Sequence, residues 1–513
     1  MGETNVSRLI ADIGQRYADR TALIDLSSDQ VREISYAELV ARTRALASAL
    51  YQRGMRPGDR LAVALDNSTE MVVSEWCCLL AGFVWVALNV RSSEEELAGV
   101  LSDSDPALVI TNQRYEDTLG RAASGRPVEV VGSARWTRFV ENSDPELPRL
   151  VPRSTDPVRI RYTSGTSGRA KGAILTRGGY DASIDNVSSV IGPFYEDDVV
   201  AQVAPMTHAS GAMLLPHLAA GGKAVIVDRF DAGALQKLCK QYRVTALFLV
   251  PTMLVRFLSA HAPSDDLETL RTIVYGGAST PPDTIAGAVE SLGAIFIQIY
   301  GLTESTWPVC ALGRDEHERG EDEARADWLA RLASCGRPTA VGRVRIVNES
   351  GTDVDDGQAG ELWVRGRNTM AGYWRSADEG DKGLDTDGWM HTGDIGVRDE
   401  QGRITIVDRL HDMIVSGGFN VYPREIEDAL GSHDGVLESA VVGRPHSEWG
   451  EAVHAYVVVK AGMQPSADEL RSHVSGRVAG YKSPKTIEFV DSLPKNTSGK
   501  VLRRVLRDRL RPG

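Results

Sequence analysis

The segment Tyr162-Thr-Ser-Gly-Thr-Ser-Gly-Arg-Ala-Lys-Gly172 holds three glycines, four serine or threonine residues and one lysine within eleven positions. Glycine allows backbone N–H groups to turn toward one point, because it carries no Cβ. The hydroxyl groups add further donors and Lys171 adds a positive charge. Donors that converge in this way suit the anionic oxygens of a polyphosphate.

The same segment has a second interpretation, since loops rich in glycine and serine also serve as flexible linkers. The pattern G-x-x-x-x-G-K-[ST] of the common phosphate-binding loop is absent from the chain. No G-x-G-x-x-G follows a predicted strand either. The segment taken alone therefore leaves phosphate binding and a plain linker open.

Three further segments favour a nucleotide site. Tyr300-Gly-Leu-Thr-Glu304 follows an apolar run at 294–299 that is typical of a strand. His391-Thr-Gly-Asp394 comes before the predicted strand 403–409, and Pro494-Lys-Asn-Thr-Ser-Gly-Lys500 comes before the C-terminal helix. Each is a weak signal alone, and their joint order along the chain is informative.

In this order the four segments resemble the adenylate-forming superfamily, which includes acyl-CoA synthetases, firefly-type luciferases and adenylation domains of peptide synthetases. The resemblance covers essentially the whole chain, from Ser35-Tyr-Ala-Glu-Leu39 through Leu88-Asn-Val-Arg91 to the last helix. It implies a large N-terminal domain of several subdomains, residues 1–408, and a small mobile α+β domain, residues 409–513, that carries a catalytic lysine.

Hydrophobic periodicity independently predicts an α/β fold. Short apolar runs such as 61–65, 223–227 and 246–250 are typical of strands buried on both faces. Amphipathic stretches at 232–242 and 282–292 lie between such runs. This alternation predicts layered parallel sheets, followed after residue 413 by a compact α+β unit.

Composition restricts the class of protein. The chain has 513 residues, 42% of them hydrophobic, and a net charge of −13, which argues against a nucleic-acid binder. Five cysteines without a C-x-x-C pair predict reduced, mostly buried thiols and a cytoplasmic protein. The first residues lack the features of a signal peptide, and the apolar run 76–90 is too short to span a bilayer.

The reaction that the resemblance implies has two halves. A carboxylate attacks the α-phosphorus of ATP, which releases pyrophosphate and gives an acyl-adenylate; a thiol then attacks the acyl carbon and AMP leaves. Both reactants of the first half are anions and the carboxylate is already a nucleophile. The site therefore needs positive charge and donors rather than a general base.

The resemblance also implies the residues of the ATP site. Lys500 would bridge the carboxylate and the α-phosphate, Thr303 would donate to that phosphate, and Glu304 with Thr163 would hold Mg²⁺. Asp394 would accept hydrogen bonds from the ribose hydroxyls, and Arg409 would contact ribose or phosphate. The complete implied set for ATP is Thr163, Ser164, Gly165, Thr166, Ser167, Gly168, Lys171, Gly277, Ala278, Tyr300, Gly301, Thr303, Asp394 and Arg409.

The acyl pocket is implied to contain His208, Gly276, Gly277 and Trp307. Amino-acid-activating relatives place an aspartate in the region of residues 209–213, and this chain has none there. The small residues at this site leave room for a bulky or hydrophobic acid. An amino-acid substrate is therefore not expected.

The second half-reaction is implied to use the C-terminal domain in another orientation. Asp412 would be the hinge, and Gly417 and Gly418 would let the pantetheine arm of CoA pass close to the backbone. Two positions depart from the family pattern, with Ala170 where proline is usual and His411 where lysine is frequent.

The sequence thus predicts an ATP- and Mg²⁺-dependent carboxylic acid–CoA ligase that binds no nucleic acid and spans no membrane, a monomer or a homodimer. One alternative is an adenylating enzyme that transfers its acyl-AMP to a carrier protein or partner enzyme. A non-catalytic binding protein is a second alternative, against which the presence of both Glu304 and Lys500 argues. A luciferase-like oxygenase is a more remote one.

Overall fold

The computed structural model of the chain describes residues 5–28, 30–141, 147–148, 150–163, 170–260, 267–375, 383–410, 412–416, 419–446, 449–495 and 501–510. The chain forms two compact units, one of residues 1–344 and 364–390 and the other of residues 345–363 and 391–513. The division predicted at 408/409 falls within the second unit. The predicted boundary marks the point about which the C-terminal domain would rotate between the two half-reactions, and it stays a prediction.

The first unit is a mixed α/β structure. Its helices are α1 (Val6–Arg16), α2 (Tyr36–Gln52), α3 (Thr69–Ala81), α4 (Glu94–Ser104), α5 (Glu116–Ala122), α6 (Ala134–Glu141), α7 (Arg177–Ile191), α8 (Ala209–Ala212), α9 (Leu214–Ala219), α10 (Ala232–Tyr242), α11 (Pro251–Ala260), α12 (Pro282–Leu292) and α13 (Arg325–Ala333). Its strands are β1 (Thr21–Asp25), β2 (Arg32–Ser35), β3 (Arg60–Ala64), β4 (Val84–Ala87), β5 (Leu108–Thr111), β6 (Val128–Val130), β7 (Pro157–Thr163), β8 (Lys171–Thr176), β9 (Val199–Gln202), β10 (Lys223–Ile226), β11 (Ala246–Leu249), β12 (Thr272–Gly276), β13 (Phe296–Tyr300), β14 (Cys310–Leu312) and β15 (Arg337–Pro338).

Two sheets organise this unit. One has nine strands in the order β15-β14-β13-β12-β11-β9-β10-β1-β2, and the other has six in the order β6-β5-β3-β4-β7-β8. The inner strands pair in parallel, as predicted, and carry apolar side chains on both faces. Antiparallel pairs lie at both ends of the nine-stranded sheet and at the β8 end of the six-stranded sheet, where a short connection joins β7 to β8.

The remaining elements build two smaller sheets. They are β16 (Gly342–Val347), β17 (Ala359–Gly366), β18 (Met390–Arg398), β19 (Ile404–Arg409), β20 (Ile414–Ser416), β21 (Phe419–Val421), α14 (Pro423–Gly431), β22 (Val436–His446), β23 (Gly450–Val459), α15 (Ala467–Ser475), β24 (Thr486–Phe489) and α16 (Arg503–Arg509). Strands β16-β17-β18-β19 form one sheet in that order. The other has the order β21-β20-β23-β22, with β24 paired to β23.

Local sequence explains where several elements begin and end. Ser68 caps α3 by accepting from the N–H of Met71, and Gly82 ends that helix at φ 73°, a left-handed conformation that favours glycine. Helix α14 begins at Pro423, because proline at the first helical position leaves no hydrogen bond unmade. Helix α15 begins with a capping box formed by Ser466 and Glu469.

The five cysteines are free and buried, as predicted. Within the charged stretch 314–325, the ring of His317 is fully buried, and the backbone oxygen of His317 accepts from the indole of Trp328 at 2.9 Å. Among the described residues, no helix is long and apolar enough to cross a bilayer.

Candidate active site

The glycine-rich segment connects β7 to β8. Thr163 lies directly opposite Lys171 in the antiparallel ladder, so the two ends of the loop are held side by side. A hairpin of this kind directs its connecting residues to one end of the sheet. The predicted phosphate ligands Ser164, Gly165, Thr166, Ser167 and Gly168 lie outside the described residues.

Tyr373 joins two of the predicted site residues. Its hydroxyl donates to Oε1 of Glu304 at 3.1 Å, and Nζ of Lys171 lies 5.3 Å from the centroid of its ring. The predicted phosphate-binding lysine and the predicted metal ligand are therefore neighbours of one aromatic side chain. Sequence analysis did not single out Tyr373, because it lies 69 residues from Glu304 and belongs to none of the motifs.

Backbone contacts fix the segment that carries Glu304. The N–H of Met370 donates to the backbone oxygen of Glu304 at 2.7 Å, and Asn368 donates to the backbone oxygen of Thr306 at 3.0 Å. A Cβ on Gly301 would lie 2.8 Å from Cβ of Trp307, so this turn requires glycine. The turn thereby presents Thr303 and Glu304, both half-buried, just after the end of β13.

The oxygen donors here suit a magnesium ion that arrives with a nucleotide. Glu304 offers a carboxylate and Thr163 a hydroxyl, and Mg²⁺ usually binds one or two carboxylates together with water and substrate phosphates. Within the described part of the chain, no cluster of three or more metal-binding side chains occurs. The donor set thus fits a cation held largely by ATP rather than one held by the protein alone.

Gly276 and Gly277 end β12 for two different reasons. A Cβ on Gly276 would lie 2.3 Å from the backbone oxygen of Ile299 on the neighbouring strand, so only glycine fits. Gly277 has φ +85°, and no atom lies within 4 Å of the position its Cβ would take. Together with exposed Ala278, it leaves a flat, open stretch of backbone against which a planar group can lie.

His208 stands in a loop held by Asn67, which accepts from the N–H of Met206 at 2.9 Å and donates to the backbone oxygen of Ala204 at 3.0 Å. Solvent reaches the ring of His208, yet the surrounding protein displaces much of its hydration. That desolvation, followed by the positive charges of Arg161 and Arg91, lowers the pKa of His208 to about 4. The imidazole is therefore neutral at physiological pH.

A narrow pocket lies beside this loop, between β7 and helices α7, α8 and α9. Its lining includes Arg161, Ser183, Ala212, Leu215 and Trp307. Trp307, predicted to line the acyl pocket, is almost completely buried. The pocket is small, with a free volume of about 20 Å³, and Ala212 places it beside the helix that follows His208. A second and wider surface pocket, near Tyr51 and Pro57, contains none of the predicted site residues.

Two arginines of β7 contribute to this pocket in different ways. Arg159 forms an ion pair with Glu75 and donates to the hydroxyl of Tyr180 at 3.2 Å. Arg161 has no hydrogen-bond or ion-pair partner among the described residues, and its Nε is buried. Arg161 was not among the predicted site residues, although two arginines spaced two positions apart just before the glycine-rich loop were a usable signal.

In the second unit, Asp394 and Arg409 face each other across β18 and β19. Arg409 Nε lies 2.6 Å from Oδ1 of Asp394, whose side chain is 4% exposed. The hydroxyl of Thr392 accepts from the N–H of Asp394 at 3.0 Å and donates to the backbone oxygen of Leu362 at 2.8 Å. Gly393 supplies the intervening turn at φ +67°. The two residues predicted to contact ribose thus form one pair.

Asp412 is held by the last helix of the chain. Arg503 and Arg507 of α16 lie 3.1 and 3.2 Å from its carboxylate. Its N–H donates to the backbone oxygen of Arg409 at 3.0 Å. The predicted catalytic lysine Lys500, the predicted pantetheine residues Gly417 and Gly418, and His411 lie outside the described residues.

Comparison with known proteins agrees with this arrangement. Residues 10–374 match the family model of AMP-binding enzymes, and residues 425–500 match the model of the AMP-binding enzyme C-terminal domain. A feruloyl-CoA synthase of Amycolatopsis sp. is 38% identical over 93% of this chain and 94% of its own length. A fatty acid–[acyl-carrier-protein] ligase of Streptomyces coeruleorubidus is 33% identical over 93% and 92%.

Comparison with solved structures indicates the same family. The crystal structure of ATP-bound MatB from Rhodopseudomonas palustris superposes with a TM-score of 0.88, at 30% identity, over 99% of both chains. The matches cover both units of the chain, including the segments that carry the predicted site residues. The chain therefore belongs to the AMP-binding enzymes of the adenylate-forming superfamily.

Proposed function

We propose that this chain activates a bulky or hydrophobic carboxylic acid, other than an amino acid, with ATP and transfers the acyl group to coenzyme A. The chain is an ATP-dependent acid–thiol ligase that forms an acyl-adenylate and then a thioester. The observation that best supports the site is the position of Tyr373, which contacts both Lys171 and Glu304. A lysine and a carboxylate held at one place suit the phosphates of a metal–nucleotide complex.

In the first half-reaction the chain supplies charge and orientation. The loop from Thr163 to Lys171 would surround the β- and γ-phosphates, and Thr303 would donate to the α-phosphate. Glu304 and Thr163 would hold Mg²⁺, which neutralises phosphate charge when bound. Lys500 would offset the repulsion between the substrate carboxylate and the α-phosphate, a contribution that is largest in the transition state.

The second half-reaction is proposed to follow a rotation of residues 409–513 about Asp412. The rotation would remove Lys500 from the site and bring Gly417 and Gly418 toward the acyl-adenylate. The double ion pair of Asp412 with Arg503 and Arg507 supports a stable position of the pivot relative to α16. Glycine at 417 and 418 leaves room for the pantetheine arm beside the backbone.

A carrier protein is the second candidate acceptor. The relative from S. coeruleorubidus is a fatty acid–[acyl-carrier-protein] ligase, and a phosphopantetheine arm has the same chemistry whether it belongs to CoA or to a carrier. The free, buried cysteines fit a reducing compartment such as the cytoplasm, where both acceptors occur.

Pyrophosphate exchange across a panel of carboxylic acids tests the first half-reaction, and acyl-CoA formation tests the second. We expect exchange with bulky acids and a thioester with CoA. Exchange with amino acids alone would contradict the proposal. Exchange without acyl-CoA, together with loading of a carrier protein, would establish the second candidate instead.

A further inference from the structure

The pocket beside His208 contains more hydrogen-bond donors than the protein itself can satisfy. The Nε1 of Trp307 is buried and has no acceptor among the described residues, and Trp307 is only 5% exposed. Arg161 lines the same pocket and has no acceptor in the described part of the chain. Buried donors without partners are rare in folded proteins, since each costs free energy.

Arg159 differs from Arg161 in having an ion-pair partner, although its Nε likewise lacks an acceptor among the described residues. It lies two residues before Arg161, and residues so spaced on a strand point to the same face of the sheet. Arg159 pairs with Glu75, and Tyr180 donates to that same carboxylate at 2.8 Å. The charge of Arg159 is thereby compensated within the protein, whereas the charge of Arg161 is not.

The charge of Arg161 persists at neutral pH. Burial, followed by repulsion from Arg159, lowers its pKa to about 9, which still leaves the guanidinium protonated near pH 7. The nearby phenol of Tyr180 acts in the opposite direction. The hydroxyls of Ser183 and Thr306, which also line the pocket, donate to the backbone oxygens of Trp307 and Asn368 at 3.3 and 3.1 Å. The pocket is thus positively charged, and its described lining offers fewer hydrogen-bond acceptors than donors.

The position of the pocket relates it to the acid. Ala212 belongs to α8, the short helix that begins directly after His208, and the charge of Arg161 acts on His208. The other walls come from the buried residues Ser183 and Leu215. An acid that extended past His208 in this direction would meet Arg161 with the end remote from its reacting carboxylate.

We propose that Arg161 and the indole N–H of Trp307 bind an oxygen acceptor at the remote end of the substrate, so that the preferred acid carries a distal carboxylate or hydroxyl. This inference rests on the proposed ligase function and narrows its substrate class. The guanidinium can offer two parallel N–H groups to one carboxylate, and the indole adds a third donor. The free volume of about 20 Å³ admits the terminal oxygen, and Leu215 and Ala212 form apolar parts of the wall around it.

The test uses acids in matched pairs that differ only at the remote end. Cinnamic acids with a 4-methyl, 4-hydroxy or 4-carboxy group form one series, and octanoic and octanedioic acid form another. Pyrophosphate exchange gives kcat/KM for each. In the wild type we expect the oxygen-bearing member of at least one series to exceed its apolar partner about tenfold or more. If only the acids with a distal carboxylate are preferred, the pocket selects an anionic group. If the acids with a distal hydroxyl are preferred as well, the pocket accepts a neutral oxygen.

Variants show whether Arg161 causes the preference. In Arg161→Met the ratio within a pair should fall to about threefold or less, mainly through a higher KM for the oxygen-bearing acid. Arg161→Lys should restore part of the preference for a distal carboxylate, because it restores the charge. Arg8→Met, a control that removes an exposed arginine outside the pocket, should leave the ratio within about twofold of the wild type. Trp307→Phe, which removes the indole N–H and also shortens the ring system, should reduce the ratio partially.

Two results would overturn the inference. One is a wild type that activates apolar acids with no preference within any pair. The other is an unchanged ratio in a folded Arg161→Met, since the unpaired donors would then have only water as partner. If Arg161→Met does not fold, as judged by its melting temperature, the wild-type ratio and Arg161→Lys still decide the question. A wild type that activates none of these acids would instead contradict the proposed function.

Discussion

Arg409 Nε lies 2.6 Å from Oδ1 of Asp394, and the two residues are direct cross-strand partners of β18 and β19. The Asp394 side chain is buried while that of Arg409 is 42% exposed. The arginine therefore compensates a carboxylate that would otherwise be costly to bury. It also fixes the direction in which the remaining lone pairs of that carboxylate point.

The pair leads to a prediction about the ribose. Replacing Asp394 with Asn should lower kcat/KM for ATP by about 10- to 100-fold, because hydrogen bonds to a charged acceptor contribute roughly 1.5–3 kcal/mol. Steady-state kinetics with ATP and with 3′-deoxy-ATP measure this. The wild type should discriminate against the deoxynucleotide and the variant should do so much less. Glu400→Gln, on an exposed residue nearby, is the control. Undiminished discrimination in Asp394→Asn would mean that another residue binds the ribose.

Glu304→Gln should reduce adenylation by weakening the handling of Mg²⁺–ATP, because an amide is a poorer ligand for a hard cation. We expect roughly 100-fold lower pyrophosphate exchange and a higher Mg²⁺ requirement. Tyr373→Phe, which removes the hydroxyl that donates to Glu304, should cost only about 2- to 10-fold. The exposed Glu318→Gln is the control. Wild-type activity with an unchanged Mg²⁺ titration in Glu304→Gln would exclude it as the metal ligand.

Lys500→Ala should abolish acyl-AMP formation yet spare thioester formation from supplied acyl-AMP. Positive charge is needed only while two anions approach, and the loss should raise the first barrier by roughly 3 kcal/mol or more. The two half-reactions are measured separately on the same preparation. Lys495→Ala is a matched control, since this lysine of the same segment pairs with Glu438 at 2.6 Å. Normal adenylation by Lys500→Ala would refute the assignment.

Asp412→Pro should leave the first half-reaction largely intact and suppress the second. Proline fixes φ near −65° and removes the N–H that donates to Arg409, so one orientation of the hinge is retained and the other is barred. Asp412→Ala loses the ion pairs with Arg503 and Arg507 but keeps the backbone freedom, and it should retain both half-reactions. Equal loss of both steps in the proline variant would indicate a folding defect. Loss of neither would move the pivot to Asp408 or His411.

His317 predicts a pH dependence of stability. Its Nδ1 donates to the backbone oxygen of Gly313 at 2.7 Å, so Nε2 of the neutral ring accepts from the hydroxyl of Tyr275 at 3.0 Å. Burial lowers its pKa from 6.5 to about 4. Between pH 6.5 and pH 4 the imidazole of His317 is protonated in the unfolded chain but neutral in the folded one. The contribution of His317 to the free energy of unfolding is therefore complete above pH 6.5. It is lost as the pH falls toward 4, by roughly 2–3 kcal/mol.

Urea denaturation of the wild type and of His317→Gln at pH 7.5, 6 and 5 measures this effect. The free energy of unfolding of the wild type should fall more steeply with acidification than that of the variant, although the variant starts lower. Parallel curves would show that His317 does not titrate between the folded and unfolded states.

The amino-acid sequence was sufficient to predict the family, the order of the motifs and most of the strands and helices. Residues 232–242 and 282–292 form helices at the predicted bounds, because amphipathic periodicity and local end signals are encoded within a few neighbouring positions. The positive φ of Gly82, at the end of α3, and of Gly393, within β18, likewise reflects a local requirement that glycine meets without strain. Motif residues such as Glu304 and Asp394 could be named because they are adjacent to those signals.

Which side chains contact one another depends on how separate elements pack in the tertiary structure. Tyr373 contacts Glu304 across 69 residues, and Glu75 neutralises Arg159 but leaves Arg161 without a partner among the described residues. The burial of His317 within a charged stretch has the same origin. Such contacts arise where separate elements pack, and the free energy of a charge depends on the partners that packing supplies. The spacing of residues along a chain carries little information about those partners.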